Sequence, residues 1–416
     1  MRSLAVTFTI VLAVGFSPDV SGLAADATGP VGVSAENLQA DFNNDGFADL
    51  AVGAPGESVG SLLDAGAVNV LYGGAAGLTG SGSQLFTQDS PGVGSTAEEG
   101  DFFGDVLAAG DFNNDGFADL AVGAPGESSS LFGVGAVNVL YGGAAGLTGT
   151  GSQLFTQDTP GVGSASEEGD SFGDALAAGD FNNDGFGDLA VGAPFESSSL
   201  FAVGAVNVLP GTATGLTGTG SQFFTQDTPG VGSSAEEGDS FGFALAAGDF
   251  NNDGFADLAA GAPFESSSLF GVGAVNVLPG TATGLTGTGS QFFTQDTPGV
   301  GSATEEGDFF GFALAAGDFN NDGFADLAVG APFESSSLFA VGAVNVLPGT
   351  AAGLTGTGSL FFTQDTPGVG DTTEEFDLFG FALGATGSQS PIAEPGAAPA
   401  SATPESNSLR MQLVSR

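Results

Sequence analysis

The sequence predicts an all-β fold, a β-propeller of four-stranded blades, and three observations point to it. The string DFNNDGF begins at Asp41, Asp111, Asp180, Asp249 and Asp318, at spacings of 70, 69, 69 and 69 residues. Periods this long mark solenoids, propellers or arrays of small domains. Each unit holds four strand-like runs set off by turn residues, and none shows a sustained 3.6-residue apolar stripe. Glycine is abundant, 73 of 416 residues, beside a 41% hydrophobic content, which suits turn-rich β structure and not disorder.

In chain order, residues 1–27 read as a signal peptide. Arg2 gives a minimal positive start, Leu4 to Phe16 is apolar, and Gly22, Ala24, Ala25 and Ala27 offer cleavage sites. That apolar run is short for a membrane span, and no later segment is apolar enough to cross a bilayer. The chain is therefore expected to be secreted, or held at the cell surface, with no transmembrane span after cleavage.

Residues 28–385 are expected to form the propeller. In the unit read from Gly238, Phe241, Phe243 and Leu245 alternate with Gly242, Ala244 and Ala246, which predicts a first strand over Phe241 to Ala247. A second run, Phe255 to Ala262, follows an acidic loop. The third is Gly273 to Leu278, ended by Pro279-Gly280, and the fourth is Gln291 to Gln295, ended by Asp296-Thr297-Pro298-Gly299. Four short strands per unit is the content of a propeller blade. The small side of the first strand lets blades approach, while its Phe and Leu fill the space between them. The first unit is preceded by a poorly matched run, Val33 to Ala40, and the last supplies only a first strand, Leu378 to Leu383. That orphan strand is expected to complete the first blade as a C-terminal latch, closing five blades and hiding the sheet edges. Alternatively, Val31 to Leu38 forms its own strand and leaves an irregular sixth blade. Residues 386–416, rich in Pro, Ala and Ser, read as a flexible tail.

Charge narrows the function. Forty-nine acids face three basic residues, Arg2, Arg410 and Arg416, for a net charge of −46. Such a surface repels nucleic acid, whose phosphates need Lys and Arg, and favours cations. The absence of Cys and His excludes disulfides, thiol chemistry, Ser-His-Asp triads and the usual zinc sites.

The repeated loop supplies a specific cation reading. In Asp249 to Asp257, Asp249, Asn251 and Asp253 occupy positions 1, 3 and 5, where side chains of a tight coil converge. Gly254 permits the turn, the Phe255 carbonyl is available at position 7, and Asp257 closes the set. Calcium takes six to eight hard oxygens in a flexible cage, whereas magnesium demands a strict octahedron. An EF-hand is excluded, because position 12 is Ala260 and the flanks read as strands. The metal-free alternative is an Asx-type turn, but a plain turn does not need acids at positions 1, 5 and 9 in five copies. Five calcium sites are expected: Asp41, Asn43, Asp45, Phe47 and Asp49; Asp111, Asn113, Asp115, Phe117 and Asp119; Asp180, Asn182, Asp184, Phe186 and Asp188; Asp249, Asn251, Asp253, Phe255 and Asp257; and Asp318, Asn320, Asp322, Phe324 and Asp326.

Two further motifs flank each loop. Phe-Gly pairs stand at Phe103, Phe172, Phe241, Phe310 and Phe379, and Gly-Ala-Pro triplets begin at Gly53, Gly123, Gly192, Gly261 and Gly330. With the acidic loop between them, these residues resemble the FG-GAP repeats of integrin alpha-chain propellers over roughly residues 31 to 385. The resemblance implies a propeller with calcium between the first two strands of a blade, held by loop positions 1, 3, 5, 7 and 9. Integrin propellers have more blades than the five counted here, and this chain shows no leg region, inserted adhesion domain or membrane helix. The receptor role therefore does not transfer. Similar repeats accompany phospholipase and lyase domains, and fold alone does not fix function.

The resemblance places Glu196, Ser197 to Ser199, Leu200 and Phe201 on the face opposite the calcium loops, where ligands would bind. Burial preference instead tucks Leu200 and Phe201 back into the blade. Runs such as Glu236-Glu237-Gly238-Asp239 recur in four units and read as solvated turns, not as an acid and base pair in one cleft. The expected function is a non-enzymatic adhesion or ligand-binding module for an extracellular protein or glycan. The alternatives are an accessory propeller of a phospholipase- or polysaccharide-directed hydrolase or lyase, or a purely structural matrix protein.

Overall fold

The computed structural model describes residues 38–384, apart from 268 and 371. The expected signal peptide and tail lie outside the described residues. Twenty strands and no helix are present among those described. They form five four-stranded antiparallel sheets, each wound in simple sequence order. The first blade holds β1 (Leu38–Ala40), β2 (Asp49–Ala54), β3 (Ala67–Tyr72) and β4 (Thr79–Phe86). The second holds β5 (Leu107–Gly110), β6 (Asp119–Ala124), β7 (Ala136–Tyr141) and β8 (Thr148–Phe155). The third comprises β9 (Ala175–Gly179), β10 (Asp188–Ala193), β11 (Ala205–Leu209) and β12 (Gln222–Phe224). The fourth comprises β13 (Leu245–Gly248), β14 (Asp257–Ala262), β15 (Ala274–Leu278) and β16 (Gln291–Phe293). The fifth comprises β17 (Ala313–Gly317), β18 (Asp326–Ala331), β19 (Ala343–Leu347) and β20 (Leu360–Phe362).

The first strands succeed one another, β1 against β5, β5 against β9, β9 against β13 and β13 against β17. The core sits between consecutive blades. Between the second and third, Phe112, Val137 and Val139 meet Phe172, Leu189 and Val191 in one buried cluster. Equivalent clusters join the first blade to the second, the third to the fourth, and the fourth to the fifth. A Phe buried this way contributes roughly 1.5–3 kcal/mol, so repeated Phe residues make each junction a small core of its own.

Two expectations change. The run Phe241 to Ala247 is not one strand, because β13 begins only at Leu245. Gly242 stands at φ +87°, which turns the chain ahead of the strand, and Phe241 bridges to Gly204 of the preceding blade instead. The same geometry corrects the latch. Gly380 stands at φ +90° and Phe379 bridges to Gly342 of the fifth blade, so Leu378 to Leu383 forms no strand. The inner edge of the first blade is filled by β1, which pairs with β2 from Leu38 opposite Ala51 to Ala40 opposite Asp49.

Candidate functional site

The acidic loops join the first strand to the second in every blade, as expected. Each is coiled by two left-handed residues. In the fourth loop these are Asn252 at φ +54° and Gly254 at φ +92°. Asn is among the few non-glycine residues that tolerate this region, which explains the second Asn of DFNNDGF, a role not read from the sequence. Asp249 Oδ1 accepts the Asp253 N–H at 3.1 Å and Oδ2 accepts the Gly254 N–H at 2.9 Å. Asp253 Oδ1 accepts the Phe255 N–H at 3.0 Å. The first, third and fourth expected ligand positions are therefore held around one tight coil, and the other loops repeat these bonds.

Position 9 is held differently. Asp257 is buried, its Oδ2 accepting the Phe250 N–H at 3.1 Å and its Oδ1 the Gly280 N–H at 2.9 Å. It ties the loop to the turn after the third strand. Among the described residues no three acidic side chains converge on one point. Burial pushes Asp119, Asp188 and Asp257 up to about 7; the two N–H bonds oppose this and the acids at positions 1 and 5 add to it. Asp49 and Asp326 are raised for the same reasons.

Position 3 varies. Asn43, Asn113 and Asn182 accept the N–H of position 5 at 3.0, 2.9 and 2.8 Å. Asn320 donates to Asp326 at 3.4 Å, whereas Asn251 Oδ1 is buried without a hydrogen-bond partner.

The loops are also linked in series. The backbone N–H of Ala118, Gly187, Ala256 and Ala325 donates to the carbonyl of Asp41, Asp111, Asp180 and Asp249 in the preceding loop, at 3.1, 2.8, 3.0 and 3.0 Å. One end of the sheets is thus a continuous row of acidic coils.

The opposite end carries the loops that follow Gly-Ala-Pro. Leu200 and Phe201 do not tuck back, being 40% and 50% exposed, and Phe132, Phe270 and Phe339 are exposed likewise. The next acidic run clamps each tip from behind, with the Gly169, Gly238 and Gly307 N–H groups donating to the carbonyls of Phe132, Phe201 and Phe270. That clamp fixes the backbone of each tip. Within the acidic runs Glu236 and Glu237 are exposed, but Asp239 is buried, so these turns are only partly solvated.

A family model described as FG-GAP repeat matches residues 38–71, 103–140, 172–209, 241–278 and 310–347. Rat phosphatidylinositol-glycan-specific phospholipase D is 38% identical over 162 residues, covering 38% of this chain and 18% of that protein. The integrin alpha pat-2 of Caenorhabditis briggsae is 32% identical over 253 residues, covering 57% of this chain and 18% of that protein. The chain thus spans under a fifth of the length of either relative. Among solved structures, the Dos1 propeller aligns with a TM-score of 0.41 at 14% identity, covering 80% of this chain and 63% of that one. With five matched repeats, each coinciding with the first three strands of a blade, the chain belongs to the FG-GAP repeat proteins.

Proposed function

We propose that this chain is an extracellular, calcium-binding propeller that acts as a non-enzymatic module for binding a protein or glycan. The observation that carries the binding role is the row of exposed tip phenylalanines, one per blade in the second to fifth blades, beside exposed Glu pairs. Soluble surfaces seldom hold out large aromatics repeatedly, and such arrays mark contact sites.

Calcium is the cation the opposite loops fit. Their donors are all hard oxygens, each loop carries three carboxylates in its sequence and no basic residue, and Asn251 Oδ1 is a buried acceptor without a donor. The loop positions 1, 3, 5, 7 and 9 would hold the ion. When bound, calcium supplies the positive charge these carboxylates lack. The backbone bonds of the loops then keep the coil shaped and pass its rigidity from blade to blade.

A glycan and matrix-protein binding screen, run with and without calcium, tests the role. Replacing Phe132, Phe201, Phe270 and Phe339 together by Ser is expected to abolish the hits at least tenfold while leaving Tm unchanged. Excess chelator is expected to lower Tm by several degrees or more. An unchanged melt rejects calcium, and turnover of a glycan or phospholipid by the pure chain rejects the non-enzymatic reading in favour of a hydrolase or lyase.

A further inference from the structure

A second set of acids is buried between blades, at the end of the sheets away from the acidic loops. Gln157 follows the outer strand of the second blade, Asp170 closes the next acidic run, and Glu196 follows Gly-Ala-Pro in the third blade. Gln157 and Asp170 are 1% exposed and Glu196 is 7% exposed. Gln157 Nε2 donates to Glu196 Oε2 and, at 2.9 Å, to Ser164 Oγ. Gln157 Oε1 is nevertheless buried with no hydrogen-bond donor. Turning the amide over helps only when Glu196 holds a proton, because its oxygen otherwise faces a carboxylate. The arrangement recurs as Gln88, Asp101 and a half-buried Glu127, as Gln226, Asp239 and Glu265, and as Gln295, Asp308 and Glu334. The amide oxygen is orphaned each time, and in the first of these Asp101 Oδ1 is orphaned as well.

Two carboxylates and a carbonyl oxygen taken out of water need compensation. Most proteins supply Lys or Arg. This chain has no basic residue between Arg2 and Arg410, so compensation comes from outside, as a proton or a metal ion. Burial, followed by repulsion from the neighbouring acids, pushes Glu127 and Glu265 up to about 8 and Glu196 and Glu334 up to about 7. At pH 8 a proton is therefore held about half the time at the first pair and less at the second. The donors are carboxylate, amide and hydroxyl oxygens, the hard set calcium prefers, and one divalent ion matches two carboxylates.

We propose that each of these four blade junctions binds a calcium ion among its Gln, Asp and Glu side chains, a second class of site distinct from the acidic loops. The ion would cross-link neighbouring blades where the outer strand of one meets the Gly-Ala-Pro loop of the next.

Calcium bound per full-length chain, counted by equilibrium dialysis at pH 8, tests this. The wild-type chain is expected to bind more ions than its five loops account for. The combined Glu127→Gln, Glu196→Gln, Glu265→Gln and Glu334→Gln chain is expected to lose only that excess, by up to four ions. Loops that bind nothing would leave an excess that the Gln chain still abolishes, so the two classes fail separately. A count unchanged by the four substitutions assigns the junctions to protons and overturns the proposal. Should the fourfold variant not fold, Glu265→Gln alone is expected to lose one ion, and no loss overturns the proposal equally.

Discussion

Asp105 and Asp174 break the repeat. The later units place Phe243, Phe312 and Phe381 at the same point after the Phe-Gly pair. Those rings run in a row, with centroids 5.0 Å apart at each step. Asp174 lines the same cleft as Phe243 and Leu383, among the first strands. A surface built for aromatic packing thus receives carboxylates with no basic partner. Burial, with Asp105 close by, pushes Asp174 up to about 8, and burial pushes Asp105 up to about 6. In the unfolded chain Asp174 ionises near 3.8. As pH rises, the unfolded state therefore loses its proton first, and stability present below that value is lost up to about 8. Asp174→Asn removes the ionisation. It is expected to raise Tm by several degrees at pH 8 and by much less at pH 5, read by thermal melts in chelator. An equal gain at both pH values would show that the charge is not the cause.

At the scale of strands and turns, the two glycine motifs explain each other. A Cβ on Gly192, of Gly-Ala-Pro, would sit 2.2 Å from the carbonyl oxygen of Gly242, of the next Phe-Gly. The Gly242 N–H in turn donates to Gly261 of its own blade at 2.9 Å. Gly192→Ala must push two blades apart, and a loss of about 1–3 kcal/mol or more is expected in denaturant unfolding. Gly56→Ala, which meets only Asp64 Oδ1 at 3.8 Å, is the control expected to change little. The second, third and fourth strands were legible in the sequence, because turn residues bracket them on both sides. The first was misplaced, because Phe241 to Ala247 alternates like a strand while hiding a glycine at positive φ. The acidic loops were legible as oxygen clusters, since their spacing is local. The two backbone bonds that claim Asp257 were not, because one partner, Gly280, lies 23 residues on. Gln157 and Glu196, 39 residues apart and in different blades, leave no local signal either. The exposure of Phe201 ran against burial preference, and the bond from the Gly238 N–H to its carbonyl left no local signal.

At the scale of the whole molecule, the first and last blades carry matching halves of one more junction. Gln364 Oε1 is a buried orphan like its four counterparts, yet among the described residues no sixth Gly-Ala-Pro loop follows to supply a Glu. Glu57, the counterpart of Glu127 and Glu196, is exposed on the first blade. Leu147, Leu216, Leu285 and Leu354 are buried against the preceding blade, whereas Leu78 is 49% exposed. At the repeat position where earlier blades use a Gln to bond the next blade, the last blade carries the exposed Leu360. An apolar pair at that one junction would bury both leucines. The alternate half-buried residues of β2, set against the full burial of β6, fit the same unfilled face. Two occupants among the described residues match it, the chain's own fifth blade or the fifth blade of a second copy. A head-to-tail copy repeats without closing and forms filaments, and a net charge of −46 opposes it. The chain's own blade is already present at an effective concentration near the millimolar range. Glu57→Cys with Gln364→Cys, in a chain with no other cysteine, is therefore expected to be bridged within one molecule by a short bismaleimide. The product should run as a monomer with a smaller hydrodynamic radius under denaturing conditions. A ladder of cross-linked oligomers, growing with protein concentration, would instead show that the open edge is filled by another chain.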